Sequence, residues 1–325
     1  MKTPLHRARY TFVGESAAAL FALVVLFIVF SLLNHRFLST INLDGLVVSG
    51  SIAAIAGLGM TLVIAMRGLD LSVGSVMGFS AIVVAKLLES GVDLGLALLA
   101  GLGAGCVLGL VNGLLIVVLR LPSFVATLAT LSMILGAELL ITSGETVTTS
   151  SKLYSDLVVK NLGGFLPAAA LDALVIFVLV WILFHRMPFG RHVAAIGGNP
   201  KAATDAGINL RAVTVGVFVV SGICAAIAGM MVGAQLQTVD STVGSGFELT
   251  AIAVVVVGGT SLTGGRGNLI GTVIAAFLLE VIHSALQILD VSSLYEDLAF
   301  GSILVGALMI DGLRRGASRK GMLVI

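Results

Sequence analysis

The stretch LVVSGSIAAIAGLGMTLVIAM at residues 46–66 contains no charged side chain. A helix needs roughly 20 predominantly apolar residues to cross the hydrocarbon core of a bilayer, and this stretch has the required length. Apolar runs of similar length recur along the chain, and the charged residues are gathered mostly in short clusters between them. The sequence therefore predicts a protein whose helices cross a membrane several times.

The composition agrees with a membrane protein and excludes other classes. Hydrophobic residues make up 58% of the 325 residues, charged residues make up only 11%, and the mean hydropathy is +1.13. This leaves too little polar surface to cover a soluble core. The balance of 18 basic and 17 acidic residues provides no field for binding nucleic acid. Cys106 and Cys224 lie within apolar runs, so buried thiols are expected rather than a disulfide or a metal site.

Runs of about 17 to 25 apolar residues predict about ten spans. The first follows Lys2, Arg7 and Arg9 and resembles a secretory signal. It lacks a small-residue cleavage pattern, so an uncleaved span is expected. The run near 249–259 is short and ends in glycines, which predicts a broken or partly inserted helix. The candidate spans lie near residues 16–33, 46–66, 72–88, 94–119, 123–142, 171–184, 213–235, 249–259, 268–289 and 295–311.

Basic residues set the predicted orientation, because cytoplasmic loops are enriched in Lys and Arg. They cluster at the amino terminus, in the loop at 185–212 and near the carboxyl terminus. Six predicted spans precede that loop and four follow it, so the loop and both termini are expected to be cytoplasmic. The polar segment 143–170 then becomes a periplasmic loop. The expected fold is an all-α, polytopic membrane helix bundle in which residues 1–325 form a single domain.

Small residues recur at helical spacing in two of the predicted spans. Such spacing allows the backbones of two membrane helices to approach closely. Two interpretations stay open, tight packing inside one bundle and a seam between two subunits, of which the first is the more ordinary. The first series is Gly101, Gly105, Gly109 and Gly113, and the second is Ser221, Ala225, Gly229 and Gly233.

Two glycine-rich turns, at residues 67–75 and 258–267, connect consecutive spans on the predicted cytoplasmic side. The second suggests a phosphate-binding loop, but it lacks the Gly-Lys-Ser/Thr ending that holds phosphates and a metal ion. The chain is therefore predicted not to hydrolyse ATP itself. For Asp70 two interpretations stay open: either it or Ser72 caps the next helix, or Asp70 contacts the substrate directly.

Patterns typical of catalytic or metal sites are absent from the sequence: there is no His-Glu-x-x-His, no Gly-x-Ser-x-Gly and no Cys-x-x-Cys. No enzymatic activity, cofactor or metal ion is predicted. Glu138 in the fifth span, and Glu280 with His283 in the ninth, are ionisable residues that are costly to place in a membrane. They are expected either to line a pathway or to form ordinary interior pairs.

A polar segment from Gly198 to Gly207 stands out in the predicted cytoplasmic loop. Asn199 is a favourable N-cap, Pro200 suits the first helical turn, and the final glycine can end a helix. The alanines between them give a short helix a small, smooth face. A helix of about two turns scarcely folds alone in water, so this one is predicted to dock in a groove of another protein; the alternative is a solvated loop helix without a partner.

Four separated motifs resemble the ribose-type sugar permeases of ABC importers and occur in that family's order over nearly the whole chain. The motifs are GMTLVI at 59–64 leading into GLDLSVGS at 68–75, PFGR at 188–191 with AIGGN at 195–199, FEL at 247–249 with AIA at 251–253, and GGTSL at 258–262. The resemblance implies a permease subunit in the bacterial inner membrane that imports a monosaccharide. It also implies three partners: a cytoplasmic ABC ATPase, a periplasmic sugar-binding protein and a second permease, either a copy or a paralogue.

In that family the loop after the sixth span holds a coupling helix, which docks in a groove of the ATPase. The pattern Glu-Ala-Ala, three residues, Gly is matched at Ala202, Ala203 and Gly207. Lys201 replaces the glutamate, and Thr250 stands where many relatives carry an aspartate. The residues implied for coupling are Gly190, Arg191, Gly198, Asn199, Pro200, Lys201, Ala202, Ala203 and Gly207. Those implied for the translocation path or its gating are Asp70, Ser72, Gly74, Glu248, Gly258, Gly259 and Thr260.

A function of another class stays open beside this one. A stand-alone secondary transporter would use Glu138, Glu280 and His283 as proton-coupling groups. It would need no ATPase.

Overall fold

The computed structural model describes residues 4–164 and 166–291, together with a few isolated positions between 295 and 306. This part of the chain is predominantly helical, as the all-α prediction requires. A 3₁₀ helix, His35–Leu38, joins the first two helices. The α-helices are α1 (Pro4–Leu33), α2 (Thr40–Ala65), α3 (Val73–Glu89), α4 (Leu94–Val118), α5 (Ser123–Thr142), α6 (Lys152–Val159), α7 (Ala168–His185), α8 (Pro188–Gly198), α9 (Pro200–Asp205), α10 (Leu210–Leu236), α11 (Phe247–Val257) and α12 (Leu269–Ile288).

Helix α10 defines the two ends of the bundle. It begins just after α9 and runs for 27 residues, a length of about 40 Å at 1.5 Å per residue. Helices α8 and α9 lie at its start, and the turn at 258–267 contacts α8 there. We call this the coupling end. The segment that follows α10 lies at the opposite end.

Two short antiparallel ladders lie outside the helices in the described part of the chain. Strand β1 (Val147–Thr148) pairs with β4 (Thr238–Val239), which follows α10, so β1 lies at the end opposite the coupling end. Strand β2 (Asn161–Leu162) pairs with β3 (Leu166–Pro167) just before α7. The ladders tie the segment around 143–167 to its neighbours.

The segment predicted as a periplasmic loop at 143–170 contains a packed helix, α6. Ser151 caps this helix by accepting a hydrogen bond from the backbone N–H of Tyr154. The side chain of Tyr154 is 1% exposed, and its hydroxyl donates a 2.6 Å hydrogen bond to the carbonyl of Met230 in α10. The segment is therefore anchored on the bundle by buried contacts, which its polar composition did not reveal.

Helices α2 and α10 form the centre of the bundle. Of the 18 most apolar consecutive residues in each helix, 89% are buried in α2 and 61% in α10. Only 6% are buried in the corresponding stretch of α1. Helices α1, α4, α5 and α7 carry rows of exposed Leu, Val, Ile and Phe side chains. A helix that is apolar on its outer face suits contact with lipid. The outer helices therefore present the surface that a membrane requires.

The glycine series of α4 packs against α10. A methyl group added at Gly105, Gly109 or Gly113 would overlap atoms of α10, mainly its backbone. Such close approach strengthens van der Waals contact between membrane helices. The prediction of tight packing inside one bundle is confirmed for these positions. The second series has other neighbours, since Gly229 of α10 meets the backbone of Met77 in α3.

Seven of the described helices are long and apolar enough to cross a membrane: α1, α2, α4, α5, α7, α10 and α12. Helix α3 has 17 residues, and α11 has only 11, which span about 16 Å or roughly half of a bilayer core. The short helix predicted near 249–259 is therefore confirmed. The candidate span at 295–311 lies outside the continuously described residues. The total of about ten spans and the cytoplasmic position of the termini stay predictions.

Candidate functional site

The polar segment folds into helix α9 with the ends that the sequence predicts. Asn199 is the N-cap, and its side-chain oxygen accepts a 3.1 Å hydrogen bond from the backbone N–H of Ala202. Pro200 occupies the first turn. Gly207 lies just beyond the helix with a φ of +81°, a left-handed conformation that glycine adopts without strain.

Helix α9 presents a small, polar face to solvent. Among its six residues only Ala203 is buried, with 4% of its surface exposed. Because its methyl group packs against the bundle, Ala203 holds the helix in place and is not available to a partner. The exposed residues are Pro200, Lys201, Ala202, Thr204 and Asp205, followed by Ala206 and Gly207.

Helix α8 is pressed against the bundle at two glycines. Gly190 lies against the backbone of α7, and Gly197 lies against the carbonyl of Ala65 at the end of α2. An added methyl group would overlap backbone atoms at either position. Of the residues predicted for coupling, Gly190 and Ala203 therefore position the surface, and the others are exposed on it.

Arg67 joins three segments at the coupling end. It follows α2 with a φ of 68°. Its Nε donates a 2.5 Å hydrogen bond to the carbonyl of Thr263, and its Nη2 donates a 2.9 Å hydrogen bond to the carbonyl of Gly198. One side chain thus connects α2, the last residue of α8 and the turn at 258–267. Sequence reasoning gave Arg67 no role, and the available signal was a lone arginine between an apolar span and a glycine.

The turn at 258–267 supports the junction between α11 and α12. The hydroxyl of Thr260 accepts a 2.9 Å hydrogen bond from the backbone N–H of Asn268. The side chain of Asn268 donates a 2.8 Å hydrogen bond to the carbonyl of Gly258, and Gly259 has a φ of 88°. Thr260 is 3% exposed. In this conformation these three predicted path residues therefore hold a turn.

Five buried polar side chains form a continuous chain across the bundle, which we call the Asp70 network. Asp70 Oδ1 accepts hydrogen bonds from the backbone N–H and the hydroxyl of Ser72, and Oδ2 accepts one of 2.8 Å from the hydroxyl of Ser221. The side-chain amide of Asn112 donates to the Ser72 hydroxyl at 2.8 Å. Thr130 donates to the Asn112 carbonyl oxygen at 2.6 Å. The network links the turn before α3 to α4, α5 and α10.

The Asp70 network bears on the two interpretations of Asp70. The carboxylate accepts the backbone N–H of Ser72, the N-cap residue of α3, but no described side chain accepts an N–H group of the first turn of α3, so the capping interpretation is wrong for this conformation. Three donors and the positive end of the α3 dipole offset the cost of burying its charge. Asp70 is 2% exposed and Ser72 is fully buried, so contact with a substrate would require another conformation.

Gly74 and Glu248 meet where α3 packs against the segment that precedes α11. A methyl group added at Gly74 would overlap the carbonyl of Gly244 and would lie 2.6 Å from Glu248 Oε2. These two residues, both predicted to belong to the translocation path, therefore lie close together. They lie apart from the Gly258 turn, which is at the other end of α11.

The three ionisable residues of the predicted spans do not form one group. Glu280 Oε2 lies 3.8 Å from His283 Nδ1 on α12, as their spacing predicts. Glu138 lies on α5, which packs against α3 and α4, whereas α12 packs against α1, α2 and α11. Glu138 is fully buried.

Comparison with known proteins identifies the family. Residues 42–311 match the profile of a family described as branched-chain amino acid transport system / permease component. The ribose import permease protein of Bacillus subtilis strain 168 is 37% identical over 313 residues, which cover 96% of this chain and 97% of that protein. This chain belongs to the ribose-type family of ABC importer permeases. The family predicted from the motifs is therefore confirmed.

Other relatives have related functions. The D-allose transport system permease protein of Escherichia coli K12 is 34% identical over 295 residues, which cover 90% of each chain. The autoinducer 2 import system permease protein of Yersinia pestis strain Pestoides F is 34% identical over 309 residues, covering 95% of this chain and 88% of that protein. No solved structure matches this chain. The protein is thus a sugar ABC permease and a multi-pass protein of the bacterial inner membrane.

Proposed function

We propose that this permease moves a monosaccharide into the cell and is driven by a separate ATPase that docks on the exposed face of α9. The observation that carries the proposal is that α9 is exposed yet firmly joined to the bundle. Asn199 links it directly to α8, and Arg67 bonds the carbonyl of Gly198 to the end of α2. Relatives named for ribose import and for D-allose transport support a monosaccharide as the substrate.

The exposed face of α9 has a shape and a charge that suit docking in a groove of a partner protein. Ala202 and Ala206 are small, so the helix can approach a partner closely. Lys201 adds a positive charge where the family pattern has a glutamate. We therefore expect the groove of the ATPase to place an acidic group near Lys201.

Contacts lead from the coupling end into the bundle. Gly197 of α8 touches Ala65 at the end of α2, and Gly59 of α2 packs against Ser221 of α10, a member of the Asp70 network. Packed interfaces switch between discrete arrangements rather than deform continuously, so a shift of α9 is expected to move α2 relative to α10. ATP and the loaded binding protein would then drive alternating access by stabilising two conformations differently.

The secondary transporter is the weaker candidate. A proton relay needs ionisable groups within reach of one another, and Glu138 lies on a helix that packs elsewhere in the bundle from Glu280 and His283. Glu280 and His283 on α12 do not by themselves form a proton route past the central helices α2 and α10.

Proteoliposomes test the energy source. One set contains the permease, its ATPase subunit, the loaded binding protein and ATP, and the other contains the permease alone under an inward proton gradient. Radiolabelled ribose and D-allose are offered to both. We expect uptake only in the first set, with none when ATP is replaced by a non-hydrolysable analogue. Uptake driven by the proton gradient in the second set would contradict the proposal.

A further inference from the structure

Glu138 is a buried carboxyl group that belongs neither to the coupling end nor to the Asp70 network. It lies on α5 with none of its surface exposed. Its carboxyl faces the backbone amide of Phe79, but neither oxygen forms a hydrogen bond of ordinary geometry with a described residue. The buried carboxyl of Asp70 is different, since it has three donors.

An unpartnered carboxyl inside a bundle lowers stability, because its hydration is lost and nothing replaces it. An apolar side chain of similar size would pack there at no such cost. Structure alone therefore gives no reason for a glutamate at position 138. A reason exists if another conformation supplies hydrogen-bond donors to it.

The carboxyl of Glu138 points at a seam of glycines. A methyl group added at Gly78 of α3 would lie 2.8 Å from Glu138 Oε1 and would overlap the carbonyl of Val243. One helical turn earlier, Gly74 meets the carbonyl of Gly244. We call this contact, between Gly74 and Gly78 on α3 and Val243 and Gly244 on the facing segment, the glycine seam.

A second carboxylate borders the glycine seam. Glu248 Oε2 would lie 2.6 Å from a methyl group added at Gly74, so the two glutamates border positions that are one turn apart on α3. At Gly74 and Gly78 the facing backbones meet directly, while the side chain of Val243 belongs to a buried apolar cluster with Ala81 and Ile82 of α3. Glu248 is already partly exposed, and a parted seam would add the carboxyl of Glu138 and the carbonyl of Val243; all of these groups are hydrogen-bond acceptors.

We propose that the glycine seam opens during transport to form a sugar-binding site in which Glu138 and Glu248 accept hydrogen bonds from sugar hydroxyls. This inference rests on the proposed function, because a monosaccharide supplies the donors. Hydroxyl groups that cross the membrane lose their water and need acceptors along the way. The closed seam described above is the state in which no sugar is held.

The test uses Glu138→Leu and Glu138→Gln in the complete importer, with saturating amounts of binding protein loaded with ribose or D-allose. At saturation, the measured transport does not depend on how tightly the binding protein binds the sugar or the permease. Two quantities are recorded: the number of sugar molecules moved per ATP hydrolysed, and the melting temperature of the purified permease in detergent. Glu280→Leu, which replaces a glutamate on α12 away from the seam, is the matched control.

For Glu138→Leu we expect a melting temperature equal to or above that of the wild type. We expect sugar moved per ATP to fall by about tenfold, the size of effect that follows from losing one strong hydrogen bond. Glu138→Gln keeps an acceptor oxygen and should retain a larger share of the transport. Glu280→Leu should leave the ratio near that of the wild type.

Three results would overturn the inference. The first is an unchanged ratio of sugar moved to ATP hydrolysed in Glu138→Leu. The second is a lowered melting temperature in that variant, which would show that the carboxyl has a structural role. The third is an equal loss of transport in Glu138→Gln, which would indicate that the carboxyl carries a proton rather than accepts a hydrogen bond. If the wild type itself moves neither sugar with ATP, the proposed function fails. If the wild type transports and Glu138→Leu matches it, only the inference fails.

Discussion

Arg67 links α8 and the turn at 258–267 to the end of α2. Its planar guanidinium donates to carbonyls of two segments that are far apart in sequence, Gly198 and Thr263. Lysine cannot reproduce this arrangement, because its ammonium group is a single point on a flexible stem. Arg67 is therefore expected to act on transport by positioning α8 and the turn at 258–267.

We expect Arg67→Ala to reduce ATP-driven sugar uptake by roughly tenfold, because two hydrogen bonds from a charged group are lost. The amount of inserted protein should not change, and Arg67→Lys should fall between the two. Arg120→Ala is the matched control, since Arg120 is an exposed arginine with a φ of 55° in the connection from α4 to α5. Uptake is measured in cells that contain the complete importer. Wild-type uptake by Arg67→Ala would contradict the positioning role.

Asp70 is expected to matter for stability. Asp70→Ala leaves the Ser72 N–H, the Ser72 hydroxyl and the Ser221 hydroxyl without their acceptor, a loss of about 3 kcal/mol if each unpaired donor costs about 1 kcal/mol. Ser221→Ala removes one of these hydrogen bonds and should cost less. Melting in detergent should therefore give the order wild type, Ser221→Ala, Asp70→Ala, from highest to lowest. A melting temperature of Asp70→Ala equal to that of the wild type would show that the network does not hold the bundle together.

At the scale of elements, α8 is held in place by a backbone contact with α2. A methyl group added at Gly197 would overlap the Ala65 carbonyl and would lie 2.5 Å from the backbone nitrogen of Gly265. At the adjacent Gly198 nothing lies within 4 Å of the same added group. The two neighbouring glycines thus form a natural pair of test and control.

Gly197→Ala should shift α8 away from α2 and reduce coupled uptake further than Gly198→Ala, whose added methyl group meets no atom of the described residues within 4 Å. Both proteins are measured for sugar uptake and for their level in the membrane. Equal uptake by the two variants at equal levels would argue against a tight α8–α2 contact.

The elements differ in how far their sequence predicts them. Helix α9, its Asn199 cap and its glycine end follow from local rules, because capping depends on neighbouring residues only. The short α11 is visible as an interrupted apolar run. The bonds from Arg67 to Thr263 and from Ser221 to Asp70 join residues 196 and 151 positions apart, and no local pattern indicates such pairs.

At the scale of the whole molecule, composition predicts a membrane bundle, and the motifs predict its family. The sequence does not show that α2 lies at the centre, because every span is apolar and burial depends on which helices surround it. The packed helix α6 is also hidden, since its buried face is only two turns long. In the same way, Glu138 is visible as an ionisable residue in a span, but its position against the glycine seam depends on α3 and the segment before α11.

The central claim is that α9 lies on the cytoplasmic side and is covered by the ATPase. It is tested by labelling Ala202→Cys with a membrane-impermeant maleimide in inside-out vesicles, after Cys106 and Cys224 have been replaced by alanine. Leu153→Cys, on the exposed side of α6, is the control for the opposite face.

We predict that the cysteine at position 202 is labelled in inside-out vesicles without the ATPase subunit and is protected when that subunit is bound. The cysteine at position 153 should be labelled only from the other side of the membrane. Equal labelling at position 202 with and without the ATPase subunit, or labelling only from the periplasmic side, would contradict the account.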